Sequence, residues 1–227
     1  FVMALDYKWF STMWGVYLFA GSALNSMAVI ILVATWLRSK GHLKNVTGPE
    51  HFHIMGKLLF AFTVFWAYIA FSQYFLIWYA NITEETSYFL IRNTGNWNTG
   101  MIALVVFHFV VPFVVLLQAW LKKNPKYLSI VAVYTLCMHA LDHYLISIPE
   151  RGISLGNLMI KDQTGKIVVD GHKVFGEIAP SIGGAFWGDI LAFVTIGAAF
   201  VFFLIRALGQ HSLYPNRDPR ILESANL

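Results

Sequence analysis

Charged residues are scarce in this chain. Only 12% of its 227 residues are Asp, Glu, Lys or Arg, whereas ordinary soluble domains have about 25%. Hydrophobic residues make up 57%. This balance excludes a soluble domain and indicates an integral membrane protein. The net charge of +4 comes without a long block of Lys or Arg, so we expect no nucleic-acid partner.

Cysteine is almost absent. The one cysteine is Cys137, and no Cys-x-x-Cys or Cys-x-x-Cys-His occurs. These absences exclude a disulfide framework, a c-type haem attachment and an iron–sulfur cluster held by this chain. His51 and His53 lack an accompanying set of carboxylates, so we predict no metal site and no bound cofactor.

Five apolar runs are long enough to cross about 30 Å of hydrocarbon at about 1.5 Å per residue. They predict an all-α, polytopic helix bundle that forms a single membrane domain over residues 1–227. Because the chain begins at Phe1 without a signal-like segment, we expect the C-terminal part of a longer protein. The predicted spans are about 9–37, 58–82, 101–121, 127–149 and 185–205.

The connections alternate in charge. Basic residues cluster in the first and third connections and in the tail 206–227, whereas Glu84 and Glu85 lie in the second. By the positive-inside rule, the N-terminal end is outside and the C-terminus is cytoplasmic. The long loop 150–184 should then be external, and residues 158–170 within it predict a short β-hairpin.

The fourth run contains a carboxylate, Asp142, with His139 and His143 beside it. Moving a carboxylate toward the bilayer centre costs about 2.5–3.5 kcal/mol on insertion scales. The group must therefore be paired, protonated or facing a polar cavity. Positions i, i+3 and i+4 share a helix face, and imidazole titrates near neutral pH. The spacing predicts a polar stripe that passes protons, from mid-membrane toward the outer side.

Two other interpretations of this stripe stay open. Its residues could form an interhelical hydrogen-bond cluster that only fixes packing. His108, in the third run, is expected at a depth close to that of His143, and two facing histidines could ligate a b-type haem. The lack of further His pairs favours His108 as a hydrogen-bonding partner of the Asp142 face.

Further polar residues extend the list of candidates for a proton path. Asn25 lies in the first run, Ser72 and Gln73 lie in the second, and Asp189 begins the fifth. Glu84 and Glu85, in the second connection, are further candidates. Each residue also has a simpler explanation: helix packing for Asn25, Ser72 and Gln73, a solvated turn for Glu84 and Glu85, and a favourable helix start for Asp189. The second run is also rich in aromatic residues, which could contact a quinone or lipid.

Residues 51–81, HFHIMGKLLFAFTVFWAYIAFSQYFLIWYAN, followed by Glu84, Glu85 and Thr86, resemble a known family. The stretch is similar to the F subunits (ActF) of bacterial alternative complex III, relatives of its C subunit and of NrfD/polysulfide-reductase membrane subunits. The segment 214–220 also fits, and the resemblance covers essentially the whole chain.

The resemblance implies a multi-pass subunit of a quinol:electron-acceptor oxidoreductase in the bacterial inner membrane. The subunit itself has no redox centre, and menaquinol or another quinol is the substrate of the complex. Iron–sulfur clusters and c-type haems belong to partner subunits, and the homologous C subunit carries the quinol site. A cytochrome oxidase is a further expected partner, and a proton path is the role proposed for the F subunit.

Three hypotheses about function follow. The first is a subunit that provides a proton path coupled to quinol oxidation, centred on Asp142. The second is a structural assembly subunit of the same complex, whose polar residues only join helices. The third is an ion or solute transporter unrelated to redox chemistry, which would not copurify with cytochrome and iron–sulfur subunits.

Overall fold

The computed structural model describes residues 9–93, 95–157, 184–210 and 212–213, and within these ranges the chain is helical and contains no strand. The predicted hairpin at 158–170 and the segment 214–220 lie outside the described residues. Four helices are long and continuous: α1 Trp14–Ser39, α2 Pro49–Ala80, α7 Pro125–Asn157 and α8 Gly184–Gln210. The shorter elements are α3 Thr83–Arg92, α4 Gly95–Ala103, a π-helix Leu104–Val110, α5 Val111–Leu117 and α6 Ala119–Lys123.

Five helical stretches are long and apolar enough to cross a membrane, which confirms the all-α, multi-pass prediction. The third consists of α4, the π-helix and α5 in sequence. Large apolar side chains face outward, among them Phe19 and Phe71 with 62% and 66% exposure. Such a surface suits hydrocarbon rather than water, so the chain is a multi-pass membrane protein.

The second helix begins earlier than its apolar run. Gly48 precedes it with an extended backbone, Pro49 occupies the first turn, and Glu50 adds an acidic group there. Proline is favoured at the first helical position, and a carboxylate there interacts well with the helix dipole. Part of the predicted connection 38–57 is therefore helical, because α2 begins at Pro49, nine residues before the apolar run that starts at 58.

Helix α7, which contains the fourth span, continues through Pro149. The predicted span of about 127–149 lies within α7, which extends to Asn157. Pro149 has no N–H for the carbonyl of Leu145, four residues earlier. The Arg92 guanidinium replaces it, with Nε 3.2 Å from the Leu145 oxygen and Nη2 2.7 Å from the Ile146 oxygen.

The third span widens into a π-helix before its own proline. Pro112 cannot donate to the carbonyl of His108, and its ring crowds that turn. The backbone responds with a wider turn, in which the N–H of Val111 bonds to the oxygen of Val106. The Tyr134 hydroxyl donates to the Phe107 oxygen at 2.7 Å. The helix of the third span then ends at Gln118, which has an extended backbone, within the predicted range of about 101–121.

Helix α1 packs between α2 and α7, and this contact positions the polar residues of the core. Small side chains make the close approach possible, since Ala20, Gly21 and Ala28 all lie buried on one face of α1. By contrast, none of the apolar window of α8 is buried within the described structure. The core therefore consists of the first four spans.

Candidate functional site

Asp142 is the centre of the polar cluster. Its side chain, on α7, is 1% exposed and accepts hydrogen bonds from two other spans. The Tyr17 hydroxyl on α1 donates to Oδ1, and the Trp66 indole on α2 donates to Oδ2 at 3.2 Å. No lysine or arginine of the described chain forms an ion pair with this carboxyl group. The group is therefore anchored by neutral donors.

His139 lies one turn before Asp142 on the same face of α7. Its Nδ1 is 3.4 Å from Asp142 Oδ2, slightly beyond an ordinary hydrogen bond. The imidazole ring lies against the backbone of α1 at Gly21, where a Cβ atom would be 2.3 Å from His139 Cε1. Glycine at position 21 is therefore what allows His139 to occupy this place.

His108 comes from the π-helix of the third span and is fully buried. Its ring stacks on His139, with centroids 5.5 Å apart and planes at 27°, and meets Trp66 edge-on at 4.2 Å. Neither of its nitrogens has a hydrogen-bond partner among the described residues. π-Helical turns are frequent at functional sites. Here the π-helix places the His108 imidazole, which lacks a hydrogen-bond partner among the described residues, against the cluster.

His143 lies at the edge of this group. Its ring is 4.6 Å from that of His139, but its side chain is exposed whereas His139 and Asp142 are buried. The three residues therefore lie along one side of α7, where His139 and Asp142 are buried and His143 is at the exposed edge. His108, expected beside His143, contacts His139 instead.

The ligand atoms of His108, His139 and Asp142 all lie within 4.8 Å of one another. In a closed zinc site, bonds near 2.1 Å bring tetrahedral ligand atoms to about 3.4 Å apart. Both oxygens of Asp142 already accept hydrogen bonds. His139 Nδ1 and Asp142 Oδ2, at 3.4 Å, are the two members of this compact carboxyl–imidazole cluster that lie closest to that separation.

The remaining candidates lie outside this cluster. Gln73 is buried with its Nε2 unpartnered among the described residues, and Asn25 is half-buried with an unpartnered Oδ1. Ser72 and Glu85 are half-buried on α2 and α3, and Asp189 is half-buried on α8. Glu84 belongs to α3, but its side chain lies outside the described part of the structure. Of these residues, only Gln73 lines the cavity beside Asp142.

A cavity of about 730 Å³ opens beside Asp142. Its wall comes from α1, α2, α3, the third span and α7, and is mostly apolar and aromatic. Tyr17, Trp66 and Asp142 form one part of the wall. Ligand pockets in proteins have volumes of about 300–1,000 Å³, so this space is large enough for a small molecule.

Sequence reasoning missed Tyr17 and recorded Trp66 only as one of many aromatic residues. Tyr17 is 125 residues from Asp142 and Trp66 is 76, so no local pattern joins them. A signal for Tyr17 did exist, because it lies on the same α1 face as Ala20, Gly21, Leu24 and Ala28. A polar hydroxyl on a stripe of small residues indicates a side chain that meets a neighbouring helix.

No protein-family model and no curated protein matches the chain. The residues of the cluster and the cavity are therefore what indicates a function for this chain. A buried carboxyl group close to the imidazoles of His108 and His139, with His143 beside His139, can accept, hold and pass a proton. Each neutral imidazole has one nitrogen to donate and one to accept.

Proposed function

We propose that this chain provides a proton path through Asp142, His139 and His143 in a quinol-oxidising membrane complex. The observation that carries the proposal is the buried Asp142 carboxyl group, anchored by Tyr17 and Trp66 with His139 at 3.4 Å. Intramembrane ionisable residues generally mark ion or proton pathways, because their cost selects against them elsewhere.

The order of the three groups supports a direction for the path. Asp142 is in the interior, His139 contacts both neighbours, and His143 lies on the exposed face of α7 nearer the end of the span that we predict to be outside. A movement of a few tenths of an ångström would turn the 3.4 Å contact between His139 and Asp142 into a hydrogen bond. A proton could then pass from the buried carboxyl group to His143 through a single intermediate imidazole.

The resemblance to F subunits of alternative complex III supplies the context of the proposal. In that context, quinol is the substrate of the complex, and iron–sulfur and c-haem subunits carry its electrons. This chain would lie in the bacterial inner membrane with a cytoplasmic C-terminus, beside the homologous C subunit. Its own contribution would be the movement of protons and not of electrons.

A structural role is the second candidate, and one specific observation favours it. Tyr17, Trp66 and Asp142 come from three spans and are joined by two hydrogen bonds. Interhelical bonds of this kind average about 0.6 kcal/mol in membranes. The same geometry could therefore fix the packing of α1, α2 and α7 without transferring a proton.

Replacing Asp142 with Asn distinguishes the two roles. The amide oxygen can still accept from Tyr17, so we expect the protein and its copurifying subunits to assemble. Because proton transfer by a positioned group contributes about 10²–10⁴-fold, quinol-dependent turnover or proton release per electron should fall strongly. Glu50→Gln, which changes a solvent-accessible carboxylate in the first turn of α2 that pairs with Lys123, is the matched control. Normal turnover and proton release in Asp142→Asn with reduced yield would support the structural role.

Purification tests the context of the proposal separately. Affinity-tagged full-length protein, extracted in mild detergent, should carry multihaem cytochrome and iron–sulfur subunits, which absorption and EPR spectra would detect. A chain purified to homogeneity without any redox partner would contradict this context and favour a transporter.

A further inference from the structure

A group of basic side chains lies where α6 packs on the N-terminal part of α2. Lys57 of α2 and Lys122 and Lys123 of α6 all lie within electrostatic range of His53. The four residues belong to the two basic connections that are predicted to face the cytoplasm. The basic group is therefore expected at the cytoplasmic surface of the membrane.

Lys122 is buried although its side chain carries a charge. It is 8% exposed, and its stem crosses Gly56, where a Cβ atom would lie 2.8 Å from Lys122 Cγ. Its Nζ is 5.8 Å from the centre of the Phe60 ring, within the range of a cation–π contact. Gly56 precedes Trp66 by about 15 Å along α2, at about 1.5 Å per residue. The place is therefore separate from the Asp142 cluster.

The acidic residues of the described chain leave two of these lysines without a partner. Glu50 pairs with Lys123 at 2.5 Å. Among the described residues, no acidic side chain forms an ion pair with Lys57 or Lys122. Removing a charge from water is costly unless an opposite charge lies close to it. An anion from outside the described chain therefore fits this place.

We propose that Lys122 and Lys57 bind the phosphate group of an anionic phospholipid from the cytoplasmic leaflet. Phosphate oxygens accept hydrogen bonds from ammonium groups, each of which has three N–H donors. Basic pockets between helices on this side of a membrane bind anionic headgroups. The exposed Lys57 meets the headgroup at the membrane surface, and the buried Lys122 holds the phosphate where α2 and α6 pack together.

Apolar surface next to the basic group favours a lipid over a free phosphate ion. Helices α2 and α5 are in contact there, with the ring centroids of Phe60 and Phe113 5.2 Å apart. Val64, seven residues after Lys57 and on the same face of α2, is 36% exposed, and Leu117 at the end of α5 is 55% exposed. An acyl chain attached to the bound phosphate covers such side chains, whereas a free phosphate ion does not.

Photolabelling tests the inference on the full-length protein, with any subunits that copurify, in nanodiscs of phosphatidylcholine. The probe is phosphatidylglycerol with a diazirine near the glycerol end of one acyl chain, and mass spectrometry locates the attachment. We expect saturable labelling of α2 and α5 near Val64 and Leu117. Unlabelled phosphatidylglycerol should displace the probe, whereas equal amounts of phosphatidylethanolamine or inorganic phosphate should not.

Matched substitutions identify the groups that bind. Lys122→Met keeps an unbranched side chain over Gly56 and removes the charge. The mole fraction of probe at half-saturation should then rise at least about tenfold, as for a lost hydrogen bond to a charged group. Lys57→Met should raise it about fivefold, the factor expected for one cation at a membrane surface. Lys40→Met, which removes an exposed lysine of the first connection outside the basic group, should leave it unchanged.

Equal half-saturation in wild type, Lys122→Met and Lys57→Met would overturn the inference. Displacement by phosphatidylethanolamine would also overturn it, because the site would then have no preference for anionic headgroups. Displacement by inorganic phosphate would indicate a site for a free anion and not for a lipid. The competition in wild-type protein and the exposed Lys57→Met change decide the question even if Lys122→Met does not fold.

Discussion

Tyr17 and Gly21, one turn apart on α1, make different contributions to the cluster on α7. Tyr17 gives Asp142 a hydrogen bond, and Gly21 gives His139 the space for its ring. Neither residue is charged, and neither would be chosen from the sequence as a functional residue. At the residue scale, the site therefore depends on a donor and on a missing side chain as much as on the groups that titrate.

Replacing Tyr17 with Phe removes the hydroxyl and keeps the ring. Because an ordinary hydrogen bond contributes about 0.5–1.5 kcal/mol, we expect turnover to fall by up to about tenfold with little change in yield. Tyr79→Phe, at a position 80% exposed, is the control. Steady-state quinol oxidation measures the effect, and equal rates for the two variants would show that Tyr17 does not act on Asp142.

Replacing Gly21 with Ala should displace His139. The added Cβ would lie 2.3 Å from His139 Cε1, whereas a Cβ at Gly15, on the same helix, meets nothing within 4 Å. We expect Gly21→Ala to lose proton release per electron and Gly15→Ala to retain it. Both substitutions add the same methyl group to α1 and neither lowers its helix propensity, so a matching loss in both variants would contradict the assignment.

At the scale of elements, the apolar runs predicted the number and approximate places of the five spans. The sequence did not predict the full helices, because caps and distant partners set their ends. Gly48 and Pro49 start α2 before its apolar run. Arg92 donates a hydrogen bond to the Leu145 oxygen, 53 residues away in sequence, and so replaces the donor that Pro149 lacks in α7. The same reason limits the prediction of the cluster. The spacing of His139, Asp142 and His143 on α7 is visible in the sequence, whereas their partners on other helices are not.

A double-mutant cycle tests the account of Arg92. Arg92→Met removes the donors to Leu145 and Ile146, and we expect a loss of about 1–3 kcal/mol in the free energy of unfolding. Pro149→Ala restores an N–H four residues after Leu145. In that background Arg92→Met should cost about 0.5–1 kcal/mol less, in line with hydrogen bonds between membrane helices.

Chemical or thermal unfolding of the purified protein in detergent, followed by helical circular dichroism, measures the four variants. An additive cycle would mean that Arg92 does not replace the hydrogen bond that Pro149 lacks.

At the scale of the whole molecule, the charges predict an orientation in the membrane, and the fifth span, α8, differs from the other four in its burial. The basic connections should face the cytoplasm. Among the residues that the structure describes, none covers the apolar window of α8. An apolar helix of this length that is exposed among the described residues needs an apolar surrounding, such as lipid, another subunit or other parts of its own chain. The first four spans therefore form the unit that holds the cluster.

Cysteine labelling in intact cells tests the orientation. In a Cys137→Ala background, Ile82→Cys should react with a membrane-impermeant maleimide added outside. Lys44→Cys, in the connection between α1 and α2, should react only after the membrane is permeabilised. Both positions are exposed in the structure, so the reverse pattern would mean that the chain is inserted the other way round.

Infrared difference spectroscopy of the full-length protein with its copurifying subunits tests the claim that Asp142 carries a proton. Addition of quinol should change the absorption of a protonated carboxyl group in the wild-type protein and in Glu50→Gln. That change should be missing in Asp142→Asn assembled to the same yield. A carboxyl band that persists unchanged in Asp142→Asn, or a wild-type spectrum without such a band, would contradict the account.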